Sequence, residues 1–506
     1  MRWLGPGLAF LVALVAARLA MLPGLGFWDT AELQTVAPVL GTAHPTGFPT
    51  YVLLGYVANL VLTPFGEPAF RMNLFAGVSL AVAAAVTVDL VRALTRSTAL
   101  GIAAGIGLAL TTVVWSIATQ AEAHALHLAL SAILLRLLVA WQDRVESGGP
   151  GADRLLVGTA ATFGLAMGNH SLMLLMAPPV GLFVLAVTPG IVRRPRFVAV
   201  CAAALVVTVV LVFLELPLRA GPFRAPLVYG RPETWDGFWY VVLAEQFRGS
   251  VVAPFSGLDA KLAALIGRTV AAFGPLAIAV PLGFMATALR RPAWALLSGG
   301  IVALTTFFAA SYINADIDRY YAVPILLAWT WIAVLAGAVA TAIRPHVGAA
   351  PDGIRRVVVG AHPAVVGLMA LVLLAPTIDA LPARYAAVDR SRDRGAGRWV
   401  ERALDHLEPD AVVVSWWSFS TPLWYAQHVE GRRPDVLIID DRTRLDRNLG
   451  DLTDVIDANL PTRPVYVIRQ EPTELAILER DYVLEYLDGA NATSLTRIVA
   501  RRAGAS

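Results

Sequence analysis

Apolar segments long enough to cross a lipid bilayer recur along this chain, and they constrain its fold more than any other feature. A hydrocarbon core about 30 Å thick takes roughly 17 to 25 residues of helix. Of the 506 residues, 57% are hydrophobic and only 15% are charged, too few charges for a water-soluble protein of this length. The sequence therefore predicts a polytopic α-helical membrane protein. Its eleven predicted spans lie near residues 4–22, 72–91, 99–117, 122–141, 155–172, 173–190, 198–216, 263–288, 294–312, 320–343 and 357–378.

Arginine residues accumulate in alternate loops, such as 92–96, 193–196 and 290–291. By the positive-inside rule these loops face the cytoplasm. We therefore expect a multi-pass protein of the cell membrane with a cytoplasmic N-terminus, a long first external loop at 24–70, and an extracytoplasmic tail. The apolar stretch 50–62 would invert every later loop if it crossed, so we expect it to lie in the interface.

Charge and cysteine content exclude several classes of function. The net charge of +3 is too small to indicate a nucleic-acid partner. The single cysteine, Cys201, rules out an intrachain disulfide and any cysteine-based metal cluster.

The composition changes near residue 379 to that of a soluble domain. This change predicts two domains, a transmembrane domain at 1–378 and a small soluble α/β domain at 379–506. The continuous apolar strands suit a parallel sheet that is buried on both faces. The predicted elements are a helix at 397–407, a strand at 411–416, a helix at 423–429, a strand at 436–440, a helix at 452–460, a strand at 465–469, a helix at 474–487 and a strand at 495–499.

Two carboxylates, Asp29 and Glu32, follow the first apolar segment directly. Three residues apart, they share one face of a helix that begins at Thr30. They form a capping box on one interpretation. On the other, a carboxylate partly desolvated at the lipid boundary takes a proton from a substrate hydroxyl. For Asp29 the two roles compete.

A stiff turn follows at His44-Pro45-Thr46-Gly47-Phe48-Pro49, where two prolines fix φ and one glycine allows positive φ. Such a loop suits a preorganised site with His44 in it. The alternative is that it only turns the chain back onto the membrane.

Further polar residues are expected to converge at the outer face, where they are candidates to bind substrate. Glu122 and His124 open one predicted span there, and Asn169 and His170 end another. Hydrogen bonding at helix ends explains them equally well, and the His124/His127 spacing is a weak indication of metal.

Arginine side chains in external loops are candidates to hold a lipid phosphate, because the guanidinium fork matches phosphate oxygens. For any single one, a solvated surface arginine is the alternative. The candidates are Arg219, Arg231, Arg248 and Arg319.

Together these motifs resemble the DUF2723 family, which is related to the protein O-mannosyltransferases within the GT-C glycosyltransferase superfamily. The resemblance covers most of the chain. The motifs that carry it are Trp28-Asp29-Thr30-Ala31-Glu32-Leu33, His44-Pro45-Thr46-Gly47-Phe48-Pro49, Arg71-Met72-Asn73-Leu74, Ala121-Glu122-Ala123-His124, Gly168-Asn169-His170 and Asp318-Arg319-Tyr320-Tyr321.

The resemblance implies a GT-C fold and inverting transfer of a sugar, with mannose favoured, from a polyprenyl-phosphate donor to a hydroxyl of a protein or glycan acceptor. It makes Asp29 the general base, with Glu32 assisting and His44 binding or orienting. It leaves a divalent metal open as a cofactor. A lipid-linked substrate transporter or flippase, or a non-catalytic scaffold with the same fold, is the alternative.

Three tryptophans, Trp416, Trp417 and Trp424, follow the first predicted strand of the tail. Ligands in open α/β sheets often bind at the carboxyl ends of strands. The sequence therefore predicts acceptor recognition by these rings, and packing of the tail onto the membrane domain is the alternative.

Overall fold

The computed structural model describes residues 3–252, 255–343, 352–487 and 494–503, with 352–362 described as helical backbone only. The helices before residue 225 are α1 (Leu4–Ala20), α2 (Trp28–Val39), α3 (Pro49–Val61), α4 (Pro68–Thr95), α5 (Thr98–Ala109), α6 (Thr112–Ser116), α7 (Ala123–Glu146), α8 (Ala152–Met167), α9 (Ala177–Val187), α10 (Pro195–Phe213) and α11 (Glu215–Ala220). Those that follow, up to residue 390, are α12 (Trp235–Val242), α13 (Leu258–Phe273), α14 (Ala279–Arg290), α15 (Pro292–Ala309), α16 (Ala322–Ala342), α17 (Asp352–Asp379) and α18 (Leu381–Val388).

Short 3₁₀ segments interrupt or join these helices. They are Thr63–Phe65, Ser171–Met176, Pro189–Arg193, Glu245–Ser250, Gly274–Ile278 and Ile317–Tyr321.

Within the described residues, six helical stretches are long and apolar enough to cross a membrane. A seventh is added when Pro363–Asp379 and Leu381–Val388, bent by 49° from each other, count as one span. These agree with the predicted spans at similar positions and confirm a multi-pass membrane protein, whereas the count of eleven stays a prediction. The six are Pro68–Thr95, Ala123–Glu146, Pro195–Ala220, Leu258–Arg290, Pro292–Ala309 and Ile317–Ala342.

Other predicted spans are represented by shorter apolar helices, among them Leu4–Ala20, Thr98–Ala109 and Ser171–Val187. The apolar run from residue 155 to 190 breaks where the sequence indicates, because α8 ends at Met167 and 3₁₀ geometry follows at Ser171. The stretch predicted to lie in the interface forms α3, and its position in the membrane stays a prediction.

The C-terminal segment folds as α19 (Gly395–His406), β1 (Val412–Ser415), α20 (Trp417–His428), β2 (Leu437–Asp440), α21 (Asp441–Asp446), α22 (Leu452–Asn459), β3 (Val465–Val467), α23 (Pro472–Asp481), β4 (Tyr482–Tyr486) and β5 (Thr496–Arg501). The strand order is β2-β1-β3-β5-β4. Strands β1, β2 and β3 pair in parallel, with Val413 opposite both Ile438 and Tyr466. The core of the sheet includes Val414, Ile439, Val467 and Ile498.

The expectation of an all-parallel sheet is wrong on one side. Strand β5 pairs antiparallel with β3 and with β4. The predicted helix 474–487 ends at Asp481, and its last third forms β4. That piece, Tyr482-Val483-Leu484-Glu485-Tyr486, is rich in aromatic and β-branched residues, which favour strands. The stretch between β4 and β5, residues 487–495, is shorter than the crossover that a parallel pair needs, so these two strands pair antiparallel.

The chain divides into two compact units, each assembled from separated stretches. Unit 1 comprises 1–21, 74–214 and 246–391, and unit 2 comprises 22–73, 215–245 and 392–506. The C-terminal segment therefore groups with the first predicted loop and with 215–245. The boundary near residue 379, drawn from composition, stays a prediction.

Unit 1 is a helical bundle with α16 at its centre. Trp329 and Trp294 are almost wholly buried. The indole N–H of Trp331 donates to Ser298 Oγ at 2.9 Å, so a buried polar pair is satisfied between α16 and α15. Unit 2 packs α2 against α20, and both helices position the site described next.

Candidate active site

The first-loop carboxylates lie on α2, and the start of this helix differs from the expectation. The helix begins at Trp28, and the preceding residue, Phe27, has extended backbone and no side chain that accepts a capping hydrogen bond. The capping box expected from Asp29 and Glu32 is therefore absent from this described helix start. Asp29 is the second residue of the helix, where its negative charge interacts favourably with the positive end of the helix dipole.

The Asp29 carboxylate is oriented by the C-terminal segment. The indole N–H of Trp417 donates to Asp29 Oδ1 at 3.1 Å, across 388 positions of sequence. A hydrogen bond to a charged acceptor is stronger than a neutral one. The partly exposed Asp29 carboxylate is thus held in one direction rather than left to rotate.

Glu32 holds the His44 loop in place. The His44 backbone N–H donates to Glu32 Oε1 at 2.6 Å, and His44 Nδ1 contacts Glu32 Oε2 closely. The Glu32 side chain is 1% exposed and that of His44 is 14% exposed. Burial raises the pKa of Glu32 above its ordinary value, against the lowering effect of His44, and Asp29 adds to the rise.

The His44–Pro49 loop has the backbone that its sequence predicts. Gly47 has φ +78°, and a Cβ there would approach side-chain atoms of Leu216 and Val241 at 3.0 and 3.1 Å. Phe48, a non-glycine residue, also has positive φ, +48°. Strained non-glycine conformations of this kind persist where surrounding contacts enforce them, often at functional sites.

Aromatic rings line the site on the side of α20. Trp417 meets the His44 ring edge-on, with centroids 5.8 Å apart, and meets Tyr229 in the same way at 5.6 Å. Trp416 meets Trp28 at 4.8 Å. Both Trp416 and Trp417 stand at the carboxyl end of β1, as the sequence predicts. The buried Trp424 packs behind Trp417 at 5.9 Å and so supports the ring rather than lining the site.

Sequence reasoning missed the role of a buried amide pair beneath α2. Gln34 Nε2 donates to Asn73 Oδ1 at 2.8 Å, while Gln34 Oε1 accepts from the Gly26 N–H at 2.9 Å. Asn73 Nδ2 donates to the Leu22 carbonyl at 2.9 Å. The pair fixes the residues that lead into α2. The signal was present in the motif around Asn73, but its partner Gln34 could not be read from sequence.

Asp29, Glu32 and His44 each offer one ligand atom, and these atoms lie within 4.8 Å of one another. Two carboxylates and an imidazole form a donor set that fits a divalent cation. The contact between Glu32 and His44 already occupies His44 Nδ1. A bound cation would add positive charge beside Asp29.

Among the arginines of unit 2 proposed for phosphate, Arg219 is engaged with backbone. Its Nε donates to the Leu40 carbonyl at 2.8 Å and one Nη donates to the Val39 carbonyl at 3.1 Å. These carbonyls end α2, so Arg219 acts there as a C-terminal clamp. Arg231 is exposed and has positive φ, +55°. Its contact with phosphate stays a prediction.

Unit 1 brings together the second group of predicted polar residues. Glu122 is the N-cap of α7, and its Oε1 contacts His124 Nδ1 at 2.8 Å. Arg319 donates to Glu122 Oε2 at 2.9 Å. The His170 ring lies 4.4 Å from that of His124, and Asn169 Nδ2 donates to the Ala123 carbonyl at 3.0 Å.

The convergence that the sequence predicts within unit 1 is therefore observed for Glu122, His124, Asn169 and His170, and the structure adds Arg319 to the group. Helix-end hydrogen bonding, the alternative interpretation, accounts for part of the contacts. Arg248, also in unit 1, is exposed in the 3₁₀ segment Glu245–Ser250.

The geometry can be set beside known proteins. Residues 29–189 match the family model described as the protein O-mannosyl-transferase TMEM260 N-terminal domain. Over 438 residues the chain is 25% identical to the protein O-mannosyl-transferase TMEM260 of Mus musculus, which covers 81% of this chain and 59% of the mouse protein.

This chain is similar to a protein O-mannosyltransferase. It spans about 59% of the length of that curated relative. The matched region begins at Asp29 itself and includes Glu32, His44 and the Glu122–His170 cluster. Membership of the DUF2723 family, which the motifs resemble, stays a prediction.

Solved structures show the fold. ArnT from Cupriavidus metallidurans bound to undecaprenyl phosphate matches with a TM-score of 0.59 at 15% identity, over 98% of this chain and 97% of that chain. The archaeal oligosaccharyltransferase AglB from Archaeoglobus fulgidus, in complex with an inhibitory peptide and a dolichol-phosphate, matches with a TM-score of 0.51 at 13% identity, over 98% and 74%. The expected GT-C fold is confirmed at this level.

Proposed function

We propose that this chain is an inverting glycosyltransferase. It moves a sugar, with mannose favoured, from a polyprenyl-phosphate donor to a hydroxyl of a protein or glycan acceptor. The observation that carries the proposal is the Asp29 carboxylate, oriented by the Trp417 N–H beside the Glu32–His44 pair. It stands at the residue where the similarity to the O-mannosyltransferase domain begins.

In the proposed reaction Asp29 accepts the proton of the acceptor hydroxyl while the oxygen attacks the anomeric carbon. The bond from that carbon to the phosphate oxygen breaks, and polyprenyl phosphate leaves with the electron pair. A positioned general base contributes about 10²–10⁴ in rate. Positive charge near the leaving phosphate would stabilise it further, and Arg231, Arg248 and Arg319 remain the candidates for that role.

Glu32 and His44 have a positioning role in this proposal. The buried Glu32 accepts from the His44 backbone and holds the rigid loop against α2. His44 in turn meets Trp417, the residue that orients Asp29. Loss of Glu32 would therefore disturb Asp29 indirectly, through His44 and Trp417, rather than remove a reacting group.

A lipid-borne donor is supported by the solved structures with a similar fold, which contain bound undecaprenyl phosphate and dolichol-phosphate. Unit 1 also contains an apolar cavity of about 300 Å³. Its lining includes Tyr321, Pro324 and Trp331, with Arg268 and Asp318 as the charged members. Because Arg268 donates to Asp318 at 2.7 Å, this charge pair is compensated, and the apolar lining suits part of an isoprenoid chain rather than its anionic head.

Acceptor recognition is proposed for the aromatic rings of α20 and its neighbours. Trp28 is about half exposed and meets the partly buried Trp416 edge-on beside Asp29. Aromatic faces at this position suit contact with a sugar or a peptide. In the proposed topology the N-terminus is cytoplasmic, and this segment and Asp29 face the outer side of the membrane.

The test is transfer by the purified full chain in lipid nanodiscs. Radiolabelled polyprenyl-phosphate mannose and a Ser/Thr-rich peptide are supplied, and labelled peptide is measured. We expect transfer by the wild type and a loss of about 10²–10⁴ in Asp29→Asn.

The chain offers a matched control. Asp236 follows Trp235 as the second residue of α12, just as Asp29 follows Trp28 in α2, but Asp236 is exposed. Asp236→Asn should transfer like the wild type. The proposal is wrong if the wild type transfers no sugar from any polyprenyl donor, or if Asp29→Asn equals Asp236→Asn. A transporter would instead move the lipid between leaflets without labelling the peptide.

A further inference from the structure

An apolar groove runs along α8, α9 and α10 of unit 1, away from the polar cluster at Glu122. We call it the α8–α10 groove. Its volume is about 810 Å³, and its lining includes Leu156, Phe163, Val184 and Leu205. Sites that enclose small ligands have volumes of about 300–1,000 Å³, so this groove is large enough for a chain-like apolar ligand.

Small side chains give the groove its depth. Ala160 on α8 and Ala177 and Gly181 on α9 are among its lining residues. A Cβ added at Gly181 would meet no heavy atom within 4 Å. The space above Gly181 is therefore open, and a larger side chain could enter it without a clash.

The helix α10 packs against α8 along one side, but few of its residues are fully buried by the described chain. The most apolar 18-residue window of Pro195–Ala220 has a mean hydropathy of 3.1, yet only 6% of that window is buried. By contrast, 83% of the corresponding window of Ile317–Ala342 is buried. The groove thus opens toward the hydrocarbon of the bilayer.

One end of the groove continues directly into a basic segment. Ile191, Val192 and Pro195 line the groove. The same short segment contains Arg193, Arg194 and Arg196. Arg194 is engaged, because its Nη1 donates to Asp153 Oδ1 at 3.0 Å and its guanidinium lies 4.4 Å from the Phe197 ring centre.

Arg193 and Arg196 differ from Arg194. Both are exposed, and neither has an ion-pair partner among the residues that the structure describes. Two uncompensated guanidinium groups beside a deep apolar groove are complementary to an anionic head with a hydrocarbon chain. This charge pattern would disfavour an apolar helix of a partner protein, which offers no negative charge to them.

We propose that the α8–α10 groove is a binding site for an anionic phospholipid of the surrounding bilayer. One acyl chain lies over Gly181, and the phosphate is held by Arg193 and Arg196. Basic residues near an anionic lipid surface contribute about 1 kcal/mol each. The site lies at the end of the bundle that the arginine distribution predicts to be cytoplasmic, and it does not depend on the proposed transferase activity.

The experiment is native mass spectrometry of the full chain, delipidated in detergent and titrated with phosphatidylglycerol or phosphatidylcholine of identical acyl chains. We expect phosphatidylglycerol to bind in preference to phosphatidylcholine. Arg193→Gln/Arg196→Gln should weaken phosphatidylglycerol about 30-fold and leave phosphatidylcholine unchanged. Gly181→Phe should fill the groove and abolish retention of the anionic lipid.

Gly158→Phe provides the matched control, since Gly158 on α8 is equally open but does not line the groove. This variant should bind phosphatidylglycerol like the wild type. Equal retention of the two lipids, or wild-type binding by both the double arginine variant and Gly181→Phe, would overturn the proposal. Dissociation of a dimer by Gly181→Phe without a change in lipid retention would assign the groove to a second copy and would also overturn it.

Discussion

Two glutamate–histidine pairs occur among the residues that the structure describes, and their surroundings shift the pKa values of the two glutamates in opposite directions. Glu32 contacts His44 in unit 2, and Glu122 contacts His124 in unit 1. Both glutamates are buried, but of the two only Glu122 also accepts a hydrogen bond from an arginine, Arg319. The same two residue types thus form different sites, because a third group decides the charge state.

The pKa values of the two carboxyl groups move in opposite directions. Burial raises the pKa of Glu32, and His44 offsets only part of the rise. Burial also opposes ionisation of Glu122, but Arg319 and then His124 hold its pKa well below the usual range. The comparison indicates that Glu122 is held as a carboxylate in an ion-pair network within unit 1. The Glu32 pair, beside the partly exposed Asp29, is suited to support chemistry.

The largest expected effect comes from breaking the ion pair between Arg319 and Glu122 in unit 1. Arg319→Met leaves the buried Glu122 charge without its guanidinium partner, which should cost about 3–5 kcal/mol of unfolding free energy. Chemical denaturation in detergent measures it. Glu122→Met combined with Arg319→Met should recover most of the loss, because apolar residues can replace a buried pair. A double variant no more stable than Arg319→Met would contradict the interpretation that the loss comes from an unpaired Glu122 charge.

The next effect concerns activity at the unit 2 site. Trp417→Phe removes the N–H donor to Asp29 but keeps most of the ring. A hydrogen bond to a charged group contributes about 1.5–3 kcal/mol, so we expect kcat to fall by about 10–100-fold with little change in donor KM. Steady-state transfer assays measure this split, and the exposed Trp235→Phe is the control. An equal loss in Trp235→Phe would remove the proposed role of Trp417.

The opposite pKa shifts predict opposite pH dependences of stability. Because the pKa of Glu32 is raised in the folded protein, it contributes stability at pH values below 4.5, the pKa in the unfolded chain. This contribution is lost as the pH rises through the pKa of the folded protein. The lowered pKa of Glu122 contributes stability above 4.5 that is lost as the pH falls toward its folded pKa.

Glu32→Gln should therefore gain stability relative to wild type as the pH rises above 4.5, by at most about 1.4 kcal/mol per pH unit. Glu122→Gln should gain relative to wild type as the pH falls below 4.5. Unfolding free energies measured across pH 3 to 8, at roughly one-unit intervals, test both slopes. If the stability differences of the two variants changed with pH in the same direction, the opposite pKa shifts of Glu32 and Glu122 would be wrong.

The smallest expected effect tests whether Arg219 holds the C-terminal end of α2 or binds the phosphate of the donor. Arg219→Lys should lose about 1 kcal/mol of unfolding free energy, because lysine cannot span both carbonyls at the end of α2. The KM for the lipid donor should stay near the wild-type value in transfer assays. A KM raised tenfold or more with unchanged stability would restore the phosphate role that the sequence suggests for Arg219.

Much of the fold could be predicted from the sequence, since a bilayer permits little besides apolar helices for such segments. The break near Gly168 and most strands of the C-terminal segment were also predicted correctly. The antiparallel edge formed by β4 and β5 was not, because Tyr482–Tyr486 directly follows a helix and its pairing with β5 cannot be read from the sequence.

The candidate site was predicted only in part. Asp29, Glu32 and His44 could be chosen from sequence because they stand in a fixed order near one membrane segment. Whether Asp29 caps a helix depended on where α2 begins, and the structure places that start at Trp28. The function of Arg219 was also undecidable from sequence, because its carbonyl partners lie about 180 positions away.

By itself, the sequence determined that the chain crosses a membrane repeatedly and which short motifs carry ionisable groups, because both follow from local composition and spacing. Only the tertiary structure decided what those groups contact. It brought Trp417 to Asp29 and Arg319 to Glu122 across 388 and 197 positions of chain. Charge state and orientation are set by such neighbours in space, and no local pattern in the sequence contains them.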